Sequence, residues 1–160
     1  MKEATLCLLI RGNPPRKVLL GFKKVGFGKG KYGGFGGKIE AGETASMAAV
    51  RELAEETGIQ ISEQDLQWMG HLTFLFPARP AWSQVVHVFL VRQWEGTALE
   101  SREVVPTWFA VDDIPFAQMW QDSVHWLPRV LAGERIRARF TFRADNETVD
   151  QLVMEAWDGS

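Results

Sequence analysis

The chain has 160 residues, a formal net charge of -2, 46% hydrophobic and 24% charged residues. That balance suits one globular domain over residues 1–160 with a real core, and excludes a disordered chain or a strongly basic binder of nucleic-acid polymers or anionic membranes. Its one cysteine, Cys7, excludes an internal disulfide and a multi-thiolate zinc site. No apolar run reaches the length of a signal peptide or membrane span, so a cytoplasmic, monomeric protein is expected.

In chain order, Thr5–Ile10 and Val18–Phe22 read as strands around the turn-forming RGNPPRK, with Cys7 a buried strand residue. The stretch KKVGFGKGKYGGFGGK is basic and too glycine-rich for a helix. Thr44–Thr57 predicts a helix, capped by Thr44 and closed by Gly58, with Ala45, Ala48, Ala49 and Leu53 as its apolar face. Leu66–Phe76, Val85–Gln93 and Val104–Val111 predict further strands. A helical pattern follows over IPFAQMWQDSVHWLPRVLAG, with Pro128 bending or restarting the helix and Gly133 ending it. In RIRARFTFR, Ile136, Ala138, Phe140 and Phe142 alternate with Arg135, Arg137, Arg139 and Arg143, and Thr148–Trp157 pairs back across ADN as a hairpin. The class is α+β.

Chemistry concentrates on the first helix. Glu52, Glu55 and Glu56 fall three and four residues apart, so their carboxylates share one broad face where like charges repel. Convergent carboxylates suit a hard divalent cation, Mg²⁺ or Mn²⁺, which keeps coordination positions for water and phosphate. The glycine-rich basic loop just upstream offers amides and lysines to phosphate oxygens. Together these point to metal-assisted attack on a polyphosphate. A solvated helix face with an Arg51–Glu55 pair is the competing reading.

The wider spacing decides between them. Gly37, five residues, Glu43, seven residues, then Arg51-Glu52-Leu53-Ala54-Glu55-Glu56-Thr57-Gly58-Ile59 match the nine specified positions of the Nudix box. The chain thus resembles the Nudix hydrolases. The resemblance implies a mixed β-sheet sandwiched between helices, and hydrolysis of a nucleoside diphosphate linked to another moiety. It implies metal binding by Glu52, Glu55 and Glu56, with Glu56 activating the water, and an Arg51–Glu43 pair bracing the corner. Gly36 or Gly37 would offer a carbonyl to the metal, and Glu103 would be a further ligand, with Glu100 close enough to exchange with it.

Beyond the box, VLLGFKKVGFGKGKYGGFGGK and PTWFAVDDIPFAQMW resemble the oxidised-purine nucleoside triphosphatases, the MutT-homologue branch of the family. That resemblance puts Lys23 at the pocket mouth, Phe27, Phe74 and Trp120 around the base with Trp120 stacked on it, and Asp122 at the purine edge. Phe35, Gly33 and Gln84 would also meet substrate. It implies cleavage of oxidised purine triphosphates such as 8-oxo-dGTP to monophosphate and pyrophosphate. Four positions depart from that branch: Gly33 replaces an asparagine, Ser123 a second aspartate, Leu8 a threonine and Gln84 a methionine. Selectivity for the oxidised base is therefore expected to differ more than the metal chemistry.

Bland readings compete for single residues: Trp120 as core, Lys23 as a solvated strand end, Asp122 as a helix cap. His71, His87 and His125 show no metal-ligand spacing, and His87 reads as a satisfied core residue. The arginine stripe reads as a solvated outer strand face in preference to a nucleic-acid surface. Dinucleotide polyphosphates, ADP-sugars or capped RNA are the alternative substrates, and a non-catalytic nucleotide-binding module the alternative class.

Overall fold

The computed structural model describes residues 1–160. Eight strands form one mixed sheet: β1 (Lys2–Arg11), β2 (Lys17–Lys23), β3 (Tyr32–Gly33), β4 (Leu66–Leu75), β5 (Gln84–Val91), β6 (Val104–Ala110), β7 (Ile136–Phe142) and β8 (Val149–Ala156). The order is β3-β2-β1-β5-β4-β7-β8, with β6 along the other edge of β2. The β1·β5 and β4·β7 pairs are parallel and the rest antiparallel. Helices α1 (Ala45–Thr57) and α2 (Ser123–Leu131) complete the fold.

Strand alternation sorts the core into two layers. Cys7, Leu9, Leu19, Phe89 and Val91 meet Ala49 and Leu53 of α1 on one face. Leu8, Ile10, Leu20, Val86, Val88, Leu72 and Phe140 meet Trp126, Leu127 and Val130 of α2 on the other. This is the expected sheet between helices. Cys7 is fully buried, and burial pushes its thiol up to about 12, which makes it a packing residue.

The site is positioned by a fork. β1 pairs with β2 only at Leu9↔Leu19, Ile10↔Val18 and Arg11↔Lys17. Beyond that point the strands part, and the glycine-rich segment enters between them. β3 pairs with β2 at Gly21↔Gly33, while Phe35 and Lys38 bridge to Cys7 and Ala4 of β1. The short β3 is invisible to pattern reading, because Tyr32–Gly33 carries neither alternation nor length.

α1 follows its sequence. Thr44 Oγ1 accepts from the Met47 amide at 3.1 Å, and Gly58 adopts the left-handed conformation at φ 81° with its N–H on the Ala54 carbonyl. The second helix is a correction: only Ser123–Leu131 is α-helical, after a 3-10 turn at Phe116–Gln118. The helix runs through Pro128 without restarting there. At the sixth of the nine helical residues its missing N–H forfeits a single intrahelical bond.

His87 is buried but half satisfied: Nε2 meets Glu3 Oε1 at 2.8 Å, while Nδ1 has no partner. The arginine stripe holds the end of the chain. Arg135 donates to the Asp158 carbonyl, Arg137 to that of Ser160, and Arg143 pairs with Asp150. These bonds support the outer-face reading. No helix is long and apolar enough to cross a membrane.

Candidate active site

The acidic helix reaches the fork through its last turns. Glu56 lies toward the sheet and is 4% exposed, while the Glu55 side chain is mostly exposed. Arg51 organises the outer carboxylates. Its Nε and Nη2 clasp Glu43 Oε2 and Oε1 at 2.7 and 2.9 Å, the expected brace. Nη2 also donates to the Lys38 carbonyl, tying helix to loop. Nη1 donates to Glu52 at 2.9 Å and Glu55 at 3.3 Å. The guanidinium holds the Glu43 carboxyl down at about 2.

Burial dominates the inner carboxylates. The Glu52 carboxyl is raised by desolvation, opposed by Arg51 and reinforced by Glu55 and Glu103. Glu56 is pushed up to about 8, chiefly by burial, with Lys23 opposing and Glu52 and Glu103 adding repulsion. Its Oε2 is buried without a hydrogen-bond partner. Such an acid wants a cation.

Two glycines make the approach feasible. A Cβ on Gly36 would stand 1.8 Å from the Thr5 carbonyl oxygen, and one on Gly37 would stand 2.6 Å from Glu52 Oε1. Any larger residue at 37 would displace the carboxylate. The hard oxygen donors, the unpartnered Glu56 oxygen and this cradle fit a divalent cation. As the side chains stand, no three acidic groups converge on one point, and Arg51 draws Glu52 and Glu55 to itself. Glu103 and Glu100 part company: the charge of Glu103 is felt by both Glu52 and Glu56, whereas Glu100 is tied to Lys24 at 2.6 Å.

A cavity of about 460 Å³ runs from Glu56 under the glycine-rich loop to α2. Lys23, Phe27, Gly33, Phe74, Gln84, Trp120 and Asp122 all line it, as do Gly36 and Gly37. Leu8 and Ser123 line it too, so all four departures from the MutT-homologue pattern fall on its wall. Phe27 stacks on Trp120 at 5.2 Å and 19°, with Lys31 Nζ 5.0 Å from the Trp120 ring centroid. Phe35 is a correction. It is fully buried among Cys7, Leu53 and the α1-side core, because its backbone pairs with β1 and turns its ring away from the cavity.

Asp122 is 4% exposed and precedes α2, yet its side chain makes no capping bond. It accepts instead from Trp126 Nε1 at 2.7 Å. Burial pushes its carboxyl up to about 6, opposed by that bond. The cap reading is thereby removed. Sequence reasoning did not single out Trp126, although the i,i+4 spacing from Asp122 was a usable signal.

Comparison with known proteins agrees with this geometry. The chain is 41% identical over 157 residues to the oxidized purine nucleoside triphosphate hydrolase of Danio rerio, covering 98% of this chain and 97% of the relative. It is 40% identical to that of Mus musculus over 149 residues, 93% of each. The crystal structure of the MutT protein from Bacillus halodurans superposes with a TM-score of 0.82 over 97% of this chain and 98% of that one, at 23% identity, which speaks to fold alone. The braced glutamate helix and the glycine cradle are built by the box residues, and the family model described as NUDIX domain matches residues 2–130. The chain therefore belongs to the NUDIX domain family, whose hydrolases work with a divalent metal.

Proposed function

We propose that this protein hydrolyses purine nucleoside triphosphates, oxidised ones such as 8-oxo-dGTP included, to the monophosphate and pyrophosphate, and so sanitises the nucleotide pool. One observation carries the reading. Glu56, buried with its Oε2 unpartnered, and the buried carboxyl of Asp122 line the same cavity, with Trp120 beside the latter. A nucleotide laid along it sets its phosphates at the acidic helix and its base at the aromatic end. The two full-length relatives, named as oxidized purine nucleoside triphosphate hydrolases, support the same substrate class.

The roles follow from the chemistry of each group. Glu52, Glu55, Glu56 and Glu103, with a carbonyl of Gly36 or Gly37, would hold the metal, and oxygen donors of this hardness favour Mg²⁺, with Mn²⁺ a working substitute. When bound, such an ion neutralises phosphate charge and lowers the pKa of water. Glu56 takes the proton from the attacking water as the new P–O bond forms and the α–β bridging bond breaks. Pyrophosphate leaves with the bridging oxygen. Lys23 faces the phosphates at the mouth, and Arg51 with Glu43 keeps the loop against the helix. Trp120 stacks on the base, Phe27 and Phe74 wall it, and Asp122 hydrogen-bonds its edge while Gln84 and the open Gly33 shape the rest.

We further assign residues 1–160 to a single Nudix domain, since β7 and β8, beyond the matched region, complete the same sheet. It acts on a free nucleotide as a monomer in the cytoplasm, in keeping with its single buried thiol. The test is a panel of 8-oxo-dGTP, 2-oxo-dATP, dGTP, dATP, a diadenosine polyphosphate and ADP-ribose, run with Mg²⁺ and with Mn²⁺. Pyrophosphate released from the purine triphosphates is the expected product. Orthophosphate from those substrates, or turnover confined to the last two compounds, would overturn the reading.

A further inference from the structure

We infer that Trp126 is the positioning residue for Asp122: its indole N–H holds one carboxylate oxygen and leaves the other alone to read the purine. The inference rests on the base-reading role proposed above for Asp122 and adds a second residue to it.

The geometry is local and rigid. Asp122 and Trp126 stand four apart across the first turn of α2, and Nε1 donates to Oδ2 at 2.7 Å. Each residue is 4% exposed. An indole nitrogen only donates, so Oδ2 must accept, and any proton the carboxyl carries sits on Oδ1. Oδ1 then offers the base a donor when Asp122 is protonated and an acceptor when it is ionised. The turn is also pinned from outside: Gln121 Oε1 accepts from the Val149 amide at 2.6 Å, and the Ser123 amide donates to the Trp120 carbonyl at 3.0 Å. Stacking ring and reading carboxyl thus sit in a fixed relation.

No other group of the pocket substitutes for the indole. Ser123 has no carboxyl with which Asp122 might share a proton. The charged residues that line the cavity are Lys2, Glu3, Lys23, Lys31, Lys38 and Glu56. Burial raises the Asp122 carboxyl, and the bond from Trp126, followed by the residue's own backbone, opposes it. Packing against Leu127, Val130 and the sheet would be served by any large ring in place of Trp126. The N–H is the part that packing does not need.

Trp126→Phe keeps a ring and removes the donor. The expected result is a roughly 10-fold rise in KM for purine triphosphates with kcat held within about twofold. The pH midpoint of kcat/KM that reports Asp122 should move upward, because the indole favours the ionised form. In an Asp122→Ala background the same substitution should leave KM unchanged, since nothing remains to be positioned. An unmoved midpoint with equal effects in both backgrounds makes Trp126 a packing residue and overturns the inference. Should Trp126→Phe fail to fold, the unsubstituted protein supplies the readout. The Trp126 indole N–H resonance should titrate with the midpoint of kcat/KM and shift in Asp122→Asn, and a resonance that does neither overturns it equally. If Asp122→Ala itself leaves purine turnover intact, the base-reading proposal falls. If it damages turnover while Trp126→Phe is silent, only the role of Trp126 falls.

Discussion

The acidic helix and the far end of the cavity reach function by opposite routes. The helix takes its chemistry from one contiguous segment, Gly37 to Ile59, in which a 3.6-residue period and one arginine arrange four carboxylates. The base end is assembled from β1, β2, β3, β4, β5 and the entry to α2, and contains mostly apolar wall with a single buried aspartate at the α2 entry. If the helix holds the metal as proposed, its spacing cannot drift without losing that ion, whereas a wall made of separate strands accepts a replacement at any one of them. Leu8, Gly33, Gln84 and Ser123 are such replacements, and none disturbs the acidic helix. On the roles proposed above, bond breaking and base choice are separable in this chain, and each of the following substitutions tests that separation.

The hardest blow to the helix alone is Glu56→Gln. It removes the acceptor for the water proton, so kcat should fall by about 10³-fold or more. The fold should hold, since an uncharged amide is no harder to bury at a position where the carboxyl is already pushed up to about 8. Nucleotide Kd, measured without turnover by calorimetry, should change little. A parallel collapse of binding would show that the two ends are not separable.

Asp122→Asn strikes the other end. Its stability effect carries a sign that can be worked out. The carboxyl stands at about 6 in the folded chain against an ordinary 3.8, so folding favours its protonated form. The stability it contributes is full below the unfolded value and is lost as pH rises through about 6. For a group this buried the loss is on the order of 2–3 kcal/mol, and Tm should decline between pH 4 and 7 in the parent but less in Asp122→Asn. With Mg²⁺ present, the variant should also lose about 10- to 100-fold in kcat/KM for purine triphosphates, with the Mg²⁺ dependence of kcat unchanged. Equal activity across the substrate panel would reduce Asp122 to a partner of Trp126.

The contrast also explains what was legible in advance. Strands with clean alternation and the capped α1 were readable because each follows from spacing within a short window, while the Glu43–Arg51 brace was implied by the resemblance to the Nudix box. The α+β class followed from the same pattern, and the sheet between helices from the resemblance to the family; the two core layers show only in the structure. Phe35 was misplaced because the glycine-rich segment has no period to tell which face a ring takes. Only the fork between β1 and β2, a tertiary fact, turns that ring into the core. α2 was drawn too long because apolar residues at Phe116, Met119 and Trp120 continue a helical pattern. Pro115 starts a 3-10 turn there instead, and Met119 is already extended. Trp126 escaped notice for a different reason: an apolar position that packs well gives no sign that its N–H is also spoken for.

The smallest expected effect probes the wall directly. Gly33 lies in β3 on the cavity, and a Cβ built there meets nothing within 4 Å. Its backbone is not in the left-handed region, so a side chain can be added without strain. Gly33→Asn adds an amide donor and acceptor at the position where the resemblance to the MutT-homologue branch implies an asparagine. A single added hydrogen bond to a base edge is worth about 1 kcal/mol, so the ratio of kcat/KM for 8-oxo-dGTP over dGTP should rise by up to roughly 10-fold. The helix should not register the change, and kcat at saturating substrate should stay as it was. An altered kcat would mean that the loop transmits contacts at the base to Gly36 and Gly37, three and four residues further along. An unmoved ratio would mean that Gln84 and Ser123 have already rebuilt the recognition that the asparagine supplies elsewhere, and that the pocket must be restored at several strands together.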